Sequence, residues 1–329
     1  MVNTQLARAR NLRVHFYGCE KSDAEPQIAI FQSLSARSSS LEELSIGLTS
    51  NLFPFLSTLR DRVPSLRRLW IQWNDSDSQT AVHTIEAFHT APSLIDAGIY
   101  NEYGPVPILF PTHQLTRYQL DGSWSTHEVN LKTAQNLVDA RIEIAFDIEP
   151  WQQHGDIITL PCLRRLYVSH TGVLRYLRTP ALQDIGFFRR EDDHDLLLRL
   201  DPLLVRSTCH LRRFCFRGSP DLRGVSEILQ KYPSITELAI MICYPDTGGD
   251  VVLAALCEAA STLISHLTVP NPTGSAAVFP QLSAIDFGCW NPGGEQIIVH
   301  SHPPHCSLIQ AQARIRRLLV DYFRFAKMG

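Results

Sequence analysis

One short alternation of apolar and polar positions recurs along the chain. The segment PSLRRLWIQW (64–73) returns as PCLRRLYVSH (161–170) and, with changes, as CHLRRFCFRG (209–218). The shared phrase is L-x-x-L-x-(I/V/L/F). Aligned on its first apolar residue, it can be placed at Leu41, Leu66, Leu94, Leu115, Leu137, Leu163, Leu182, Leu211, Ile235, Ile264 and Leu282, with a weaker copy at Ala9. Alternation of this kind predicts strands with one buried face. Between anchors, apolar residues at three- and four-residue spacing predict helices over Asn51 to Val63, Ser76 to Ala91 and Asp221 to Pro233. The shortest steps, 163 to 182 and 264 to 282, leave room only for a loop or a single turn.

A second signal is independent of the leucines. Proline stands two residues before the anchor at Pro64, Pro92, Pro161, Pro180, Pro233 and Pro280. It has no N–H and biases its predecessor to extended geometry, so it ends the returning segment ahead of each strand. The average step falls within the ~20–29 residues of a leucine-rich repeat. The expected fold is therefore α/β: an irregular leucine-rich-repeat solenoid, or horseshoe, with parallel inner strands and variable outer helices or loops. It occupies residues 1–305 in about twelve degenerate repeats, followed by a C-terminal capping helix over 306–329. The Asn or Cys that commonly follows the strand is mostly replaced, as at Thr49, Ser123 and Thr171, which predicts irregular turns.

Parallel strands in register bring equivalent positions side by side, about 4.8 Å apart. The second residue after the anchor then forms a row: Glu43, Arg68, Asp96, Arg117, Asp139, Arg165, Asp184, Arg213 and Glu237, followed by His266. The sign of charge alternates through its first nine members. Such a ladder neutralises itself, each neighbouring pair contributing roughly 0.2–1 kcal/mol; the competing reading is a charged recognition surface. A one-residue slip would drive these charges into the core, so the row also tests the register.

Two further rows on the same inner, concave face carry larger side chains. Trp70, Arg141 and Tyr167 stand four residues after their anchors, and Tyr100, Phe188 and Arg217 six. Trp, Tyr and Arg dominate interface energetics, and an aromatic ring on this face has no core to fill. Arg68, Trp70, Tyr100, Arg141, Tyr167, Phe188, Arg213 and Arg217 are the candidate partner-binding residues.

Composition narrows the function classes. With 30 basic and 33 acidic residues the net charge is −3, without the basic excess that nucleic-acid binding calls for. No apolar run approaches a membrane span, so neither nucleic acid nor membrane is an expected partner. The eight cysteines form no CxxC pair and read as reduced thiols of a cytoplasmic or nuclear protein.

Chemistry is sparse. No nucleophile-elbow or phosphate-loop motif occurs, so no catalytic residue, cofactor site or enzyme activity is expected. HSHPPHC places His300, His302, His305 and Cys306 within seven residues. Its two prolines favour an exposed connector between the last strand and the terminal helix over a zinc site. EDDHD (191–195) opens a helix rather than an acidic metal cluster, because carboxylates favour a helix N-terminus.

The x-P-x-L-x-x-L-x-(I/V) phrase, with its degenerate repeats and outer helices of variable length, resembles the leucine-rich-repeat region of fungal, basidiomycete-type F-box proteins. That resemblance implies a repeat surface presenting a protein target for ubiquitination. The family's F-box binds the Skp1 adaptor, but no L-P-x-E-(I/L)-L stretch is present and the first repeat begins near residue 9, so no Skp1-binding residue carries over. The expected function is a non-catalytic scaffold binding a protein on its concave face. The second reading is a substrate receptor of an SCF-type ligase whose F-box lies outside this sequence, and a third is metal binding through His300 to Cys306.

Overall fold

Six of the repeats start their strands in the same way. The anchor closes a tight turn: the amide of Leu66 donates to the Val63 carbonyl, Leu94 to Ala91, Leu115 to Thr112, Leu137 to Ala134, Leu163 to Leu160 and Ile235 to Tyr232. Pro64, Pro92, Pro161 and Pro233 occupy the second position of these four-residue turns, where their fixed φ is an asset. This is a more specific role than ending the returning segment. Two successive amides then donate to one carbonyl of the preceding repeat. Ile95 and Asp96 donate to Arg67, Thr116 and Arg117 to Ile95, and Val138 and Asp139 to Thr116.

The computed structural model describes residues 11–73, 84–100, 104, 108–145, 155–188, 196–218, 222–243, 268–270, 276–278, 281–290 and 296–301. The chain divides into two units, Met1–Leu166 with Tyr176–Pro180, and Tyr167–Arg175 with Ala181–Gly329. The first holds β1 (Leu12–Tyr17), β2 (Leu41–Leu48), β3 (Arg68–Trp73), β4 (Asp96–Tyr100), β5 (Arg117–Gly122) and β6 (Asp139–Ile144). Each pairs in parallel with the next. β7 (Ile158–Thr159) pairs in parallel with β9 (Leu177–Arg178) in a small separate sheet, and β8 (Arg165–Val168) is shared between the units. In the second unit β10 (Asp184–Phe188), β11 (Arg213–Arg217) and β12 (Glu237–Cys243) are parallel neighbours. β13 (Thr268–Pro270) and β14 (Ala276–Val278) form an antiparallel pair, while β15 (Ala284–Trp290) lies parallel to β12 and antiparallel to β16 (Gln296–Ser301). Repeated strand and return, with parallel neighbours in chain order, is the α/β leucine-rich-repeat fold.

Alternation sets the core face. Leu69 and Ile71, Ala97 and Ile99, Tyr118 and Leu120, and Ala140 and Ile142 are buried beneath β3 to β6, and Phe214 and Phe216 beneath β11. The anchors Leu66, Leu94, Leu115, Leu137 and Leu163 are fully buried. Burying a leucine side chain contributes roughly 1.5–3 kcal/mol, which each repeat obtains only by stacking on its neighbours.

Return segments follow local chemistry. Helix α1 (Ala24–Ser35) starts where the Asp23 carboxylate accepts from the Glu25 amide, and α2 (Trp124–Thr133) where the Ser123 hydroxyl accepts from the Thr126 amide. Helices α3 (Leu196–Ser207) and α4 (Leu222–Lys231) serve the second unit. The short step after Leu163 returns through a single 3₁₀ segment, Thr171–Tyr176, as its length dictates. Where Thr49 replaces the usual Asn or Cys, its side chain still serves the turn, accepting from the Leu52 amide.

Several expectations give way. The segment at 51–63 forms a 3₁₀ helix over Phe53–Leu59 rather than an α-helix, beginning beside Pro54, whose ring suits a first turn and not a helix interior. Of the helix expected at 76–91, residues 76–83 lie outside the described residues. The remainder is a parallel bridge between Ile85 and Ile108 followed by a turn. At the N-terminal copy, Val14 pairs with Leu44 and Phe16 with Ile46, two residues later than the Ala9 anchor implies, with an irregularity between Leu12 and Arg13. The copy at Ile264 does not add a strand between β12 and β15, because Glu237 pairs directly with Ala284. Ile264 and His266 lie outside the described residues. His300 lies in β16, paired with Asp286, rather than in a connector. His302, His305, Cys306, residues 191–195 and the C-terminal helix at 306–329 are also outside the described residues.

One buried polar cluster fixes α2 against β5 and β6. His127 is fully buried, its Nδ1 lies 3.0 Å from the Tyr118 hydroxyl and its Nε2 3.2 Å from the Glu143 carbonyl oxygen. A carbonyl only accepts, so Nε2 carries the proton and Nδ1 accepts from Tyr118. Asn130 Nδ2 donates to the same tyrosine oxygen at 3.4 Å. Burial pushes the His127 imidazole down to about 4, while burial raises the Tyr118 phenol.

Candidate interaction face

The outer side of each strand row carries the polar ladder in the expected register. In the first unit Glu43 pairs with Arg68, Arg68 with Asp96, Asp96 with Arg117, and Arg117 with Asp139. In the second, Asp184 pairs with Arg213 and Arg213 with Glu237. Arg13 stands beside Glu43 and extends the alternation by one strand. The row ends at Ala284 where His266 was expected.

Ion pairs run along the row. Arg68 reaches Glu43 at 3.4 Å; Arg117 reaches Asp96 at 3.6 Å and Asp139 at 3.4 Å; Arg165 reaches Asp139 at 3.0 Å. Asp96 is nonetheless raised above the ordinary carboxyl value, because its burial outweighs the pull of Arg117 and Arg68. In the second unit Arg213 bonds Asp286 at 3.2 Å, and Arg212 donates through Nε and Nη2 to one oxygen of Glu237.

The large side chains occupy the rows above. Trp70 is half-buried and its ring lies over Gly98 of the next strand, where an added Cβ would sit 2.2 Å from it. Tyr167 lies over Gly186 in the same way, with the corresponding approach 2.3 Å. At these two positions glycine is required by the ring above it. Pattern reading overlooked this, although the signal was available: an aromatic four residues past one anchor, then glycine four residues past the next.

The eight candidate residues form two groups. In the first unit, Arg68 and Trp70 share β3, Tyr100 follows beside Gln72, and Arg141 pairs across from Gln119 and bonds the Glu143 carboxylate. In the second, Tyr167 and Phe188 have ring centroids 5.8 Å apart, and the Arg217 guanidinium lies 5.8 Å above the Phe188 ring. Arg213 stands on the same strand as Arg217, flanking Cys215. Burial pushes the Cys215 thiol up to about 11, which keeps it protonated and a poor nucleophile at neutral pH.

Among the described residues no group of three or more His, Cys, Asp or Glu side chains could hold a metal ion, and no helix is long and apolar enough to cross a membrane. No family model matches the sequence, and no curated protein matches it. Among solved structures, the chain is similar to the leucine-rich repeat-containing protein LegL7 from Legionella pneumophila. The two share 12% sequence identity at a TM-score of 0.41, over 94% of this chain and 98% of that one.

Proposed function

We propose that this chain is a non-catalytic interaction scaffold that holds a protein partner on the outward face of its strands. One observation carries the reading: Trp70, Tyr100, Tyr167 and Phe188 stand half-exposed on the strand side opposite the core, interleaved with arginines. Rings in that position do not fill the core, and aromatic and Arg side chains are the usual anchors of protein interfaces. The fold supports the same reading, since within each unit a row of parallel strands offers a surface whose side chains can vary without disturbing the leucines beneath.

Trp70→Ala and Tyr167→Ala are expected to weaken capture of a partner by roughly tenfold or more while leaving the melting temperature within a few degrees of wild type. Cross-linking capture with wild-type and substituted protein, followed by binding measurements on the purified partner, checks this. Equal affinity for both variants would remove the aromatic residues from the function. The narrower role of ubiquitin-ligase substrate receptor is supported by the resemblance of the repeat phrase to F-box proteins. Its test is whether Skp1 is recovered with the product of the complete reading frame.

A further inference from the structure

The ladder in the first unit alternates in formal charge but not in what it shows to solvent. The Arg68 and Arg117 side chains are 60% and 57% exposed and Arg165 47%, whereas Glu43, Asp96 and Asp139 are 23%, 28% and 12% exposed. The cause is side-chain length. The carboxylates are short and the arginines longer, so Arg68 and Arg165 each reach across to one carboxylate, and Arg117 to one on either side. A guanidinium has five N–H groups in a planar fork, and Arg68 directs one nitrogen and Arg165 one nitrogen at their carboxylates. Arg117 directs Nη1 at Asp96 and Nε at Asp139 and still has 57% of its side chain exposed.

These arginines stand on β3, β5 and β8, each separated from the next by one carboxylate-bearing strand. Two strand spacings make about 9.6 Å. A polyproline II segment advances about 9.3 Å in three residues. Acidic side chains at every third residue of a polyproline II chain, all on one face at three residues per turn, would therefore stand over successive arginine-bearing strands. Trp70, two residues beyond Arg68, offers an aromatic surface beside that track, the kind on which proline-rich chains dock.

We propose that this row binds an acidic protein segment in polyproline II conformation carrying a carboxylate at every third residue, laid across β3, β5 and β8. The proposal rests on the strand face being an interaction surface and adds the partner's chemistry. In this arrangement the carboxylates hold the arginines in place, and the arginines face the ligand.

The test uses the full chain and fluorescein-labelled peptides read by anisotropy. A peptide of six Glu-Pro-Pro repeats is expected to bind, and to weaken by at least about tenfold between 50 mM and 300 mM salt. The Lys-Pro-Pro counterpart should not bind, and a peptide of the same composition with its glutamates in one block should bind more weakly. Arg117→Gln with Arg165→Gln should lose at least about tenfold. Should that protein fail to fold by circular dichroism, Arg68→Lys with Arg165→Lys keeps the charge, loses the planar fork and should lose roughly threefold or more. Equal binding of the lysine peptide, unchanged affinity in the folded variants, or binding of a single-stranded oligonucleotide in place of the acidic peptide would overturn the proposal. If the acidic peptide fails while a partner is still lost on Trp70→Ala, the interaction face stands and only the acidic ligand falls.

Discussion

Arg117→Glu is expected to lower the unfolding free energy by roughly 2–4 kcal/mol at low ionic strength, and by clearly less in 0.5 M salt. The substitution removes two attractions, to Asp96 at 3.6 Å and Asp139 at 3.4 Å, and sets three carboxylates on adjacent strands. Each lost pair, partly exposed on the arginine side, contributes up to about 1 kcal/mol. Repulsion adds a comparable amount, because Asp139 is largely shielded from water. Arg117→Gln, which removes attraction without adding repulsion, should cost about half as much or less. Urea unfolding at two salt concentrations checks both. If Arg117→Glu matched wild type at low salt, the row would not be energetically coupled.

The second large effect is a dependence on acid. A histidine held near 4 when folded, against about 6.5 when unfolded, resists protonation only in the native state. The stability it confers is fully present above about pH 6.5 and is lost as pH falls towards 4, because the unfolded chain then binds a proton that the folded chain does not. The difference amounts to about 3 kcal/mol across that window. Protonation would also force Nδ1 to donate to Tyr118, whose own O–H would lose its acceptor. Stability measured by urea unfolding from pH 7 to pH 5 should therefore fall more steeply in wild type than in His127→Gln, by a slope approaching one proton. Parallel slopes would mean that the imidazole titrates normally and that the cluster around it is open.

What could be read from the residues follows from period. A strand alternates every two residues and parallel strands align, so Arg68 falls between Glu43 and Asp96 once the leucines are aligned. The same logic placed Trp70, Tyr167 and Phe188 on the outward face. Direction and local competition are not encoded that way. Gln296–Ser301 carries the apolar run Ile297 to Val299 and runs antiparallel to β15, and the N-terminal copy placed at Ala9 pairs two residues later, Val14 with Leu44 and Phe16 with Ile46. Residues 84–91 carry helical spacing, but Ile85 pairs with Ile108 instead. The exposure of the arginines over their carboxylates depends on side-chain reach, which charge signs do not convey. His127 belongs to no repeating pattern; its role follows only from α2 lying against Tyr118 and the Glu143 carbonyl.

The central claim is that residues in one row are coupled across neighbouring strands, and a pair of double-mutant cycles tests it most directly. Arg117 and Asp139 share a row on adjacent strands, while Glu143 lies four residues further along β6, about 13 Å away. Combining Arg117→Gln with Asp139→Asn should give a coupling energy of about 0.5–1 kcal/mol, and combining it with Glu143→Gln should give about 0.3 kcal/mol or less. No coupling in the first cycle, or a larger value in the second, would contradict the account.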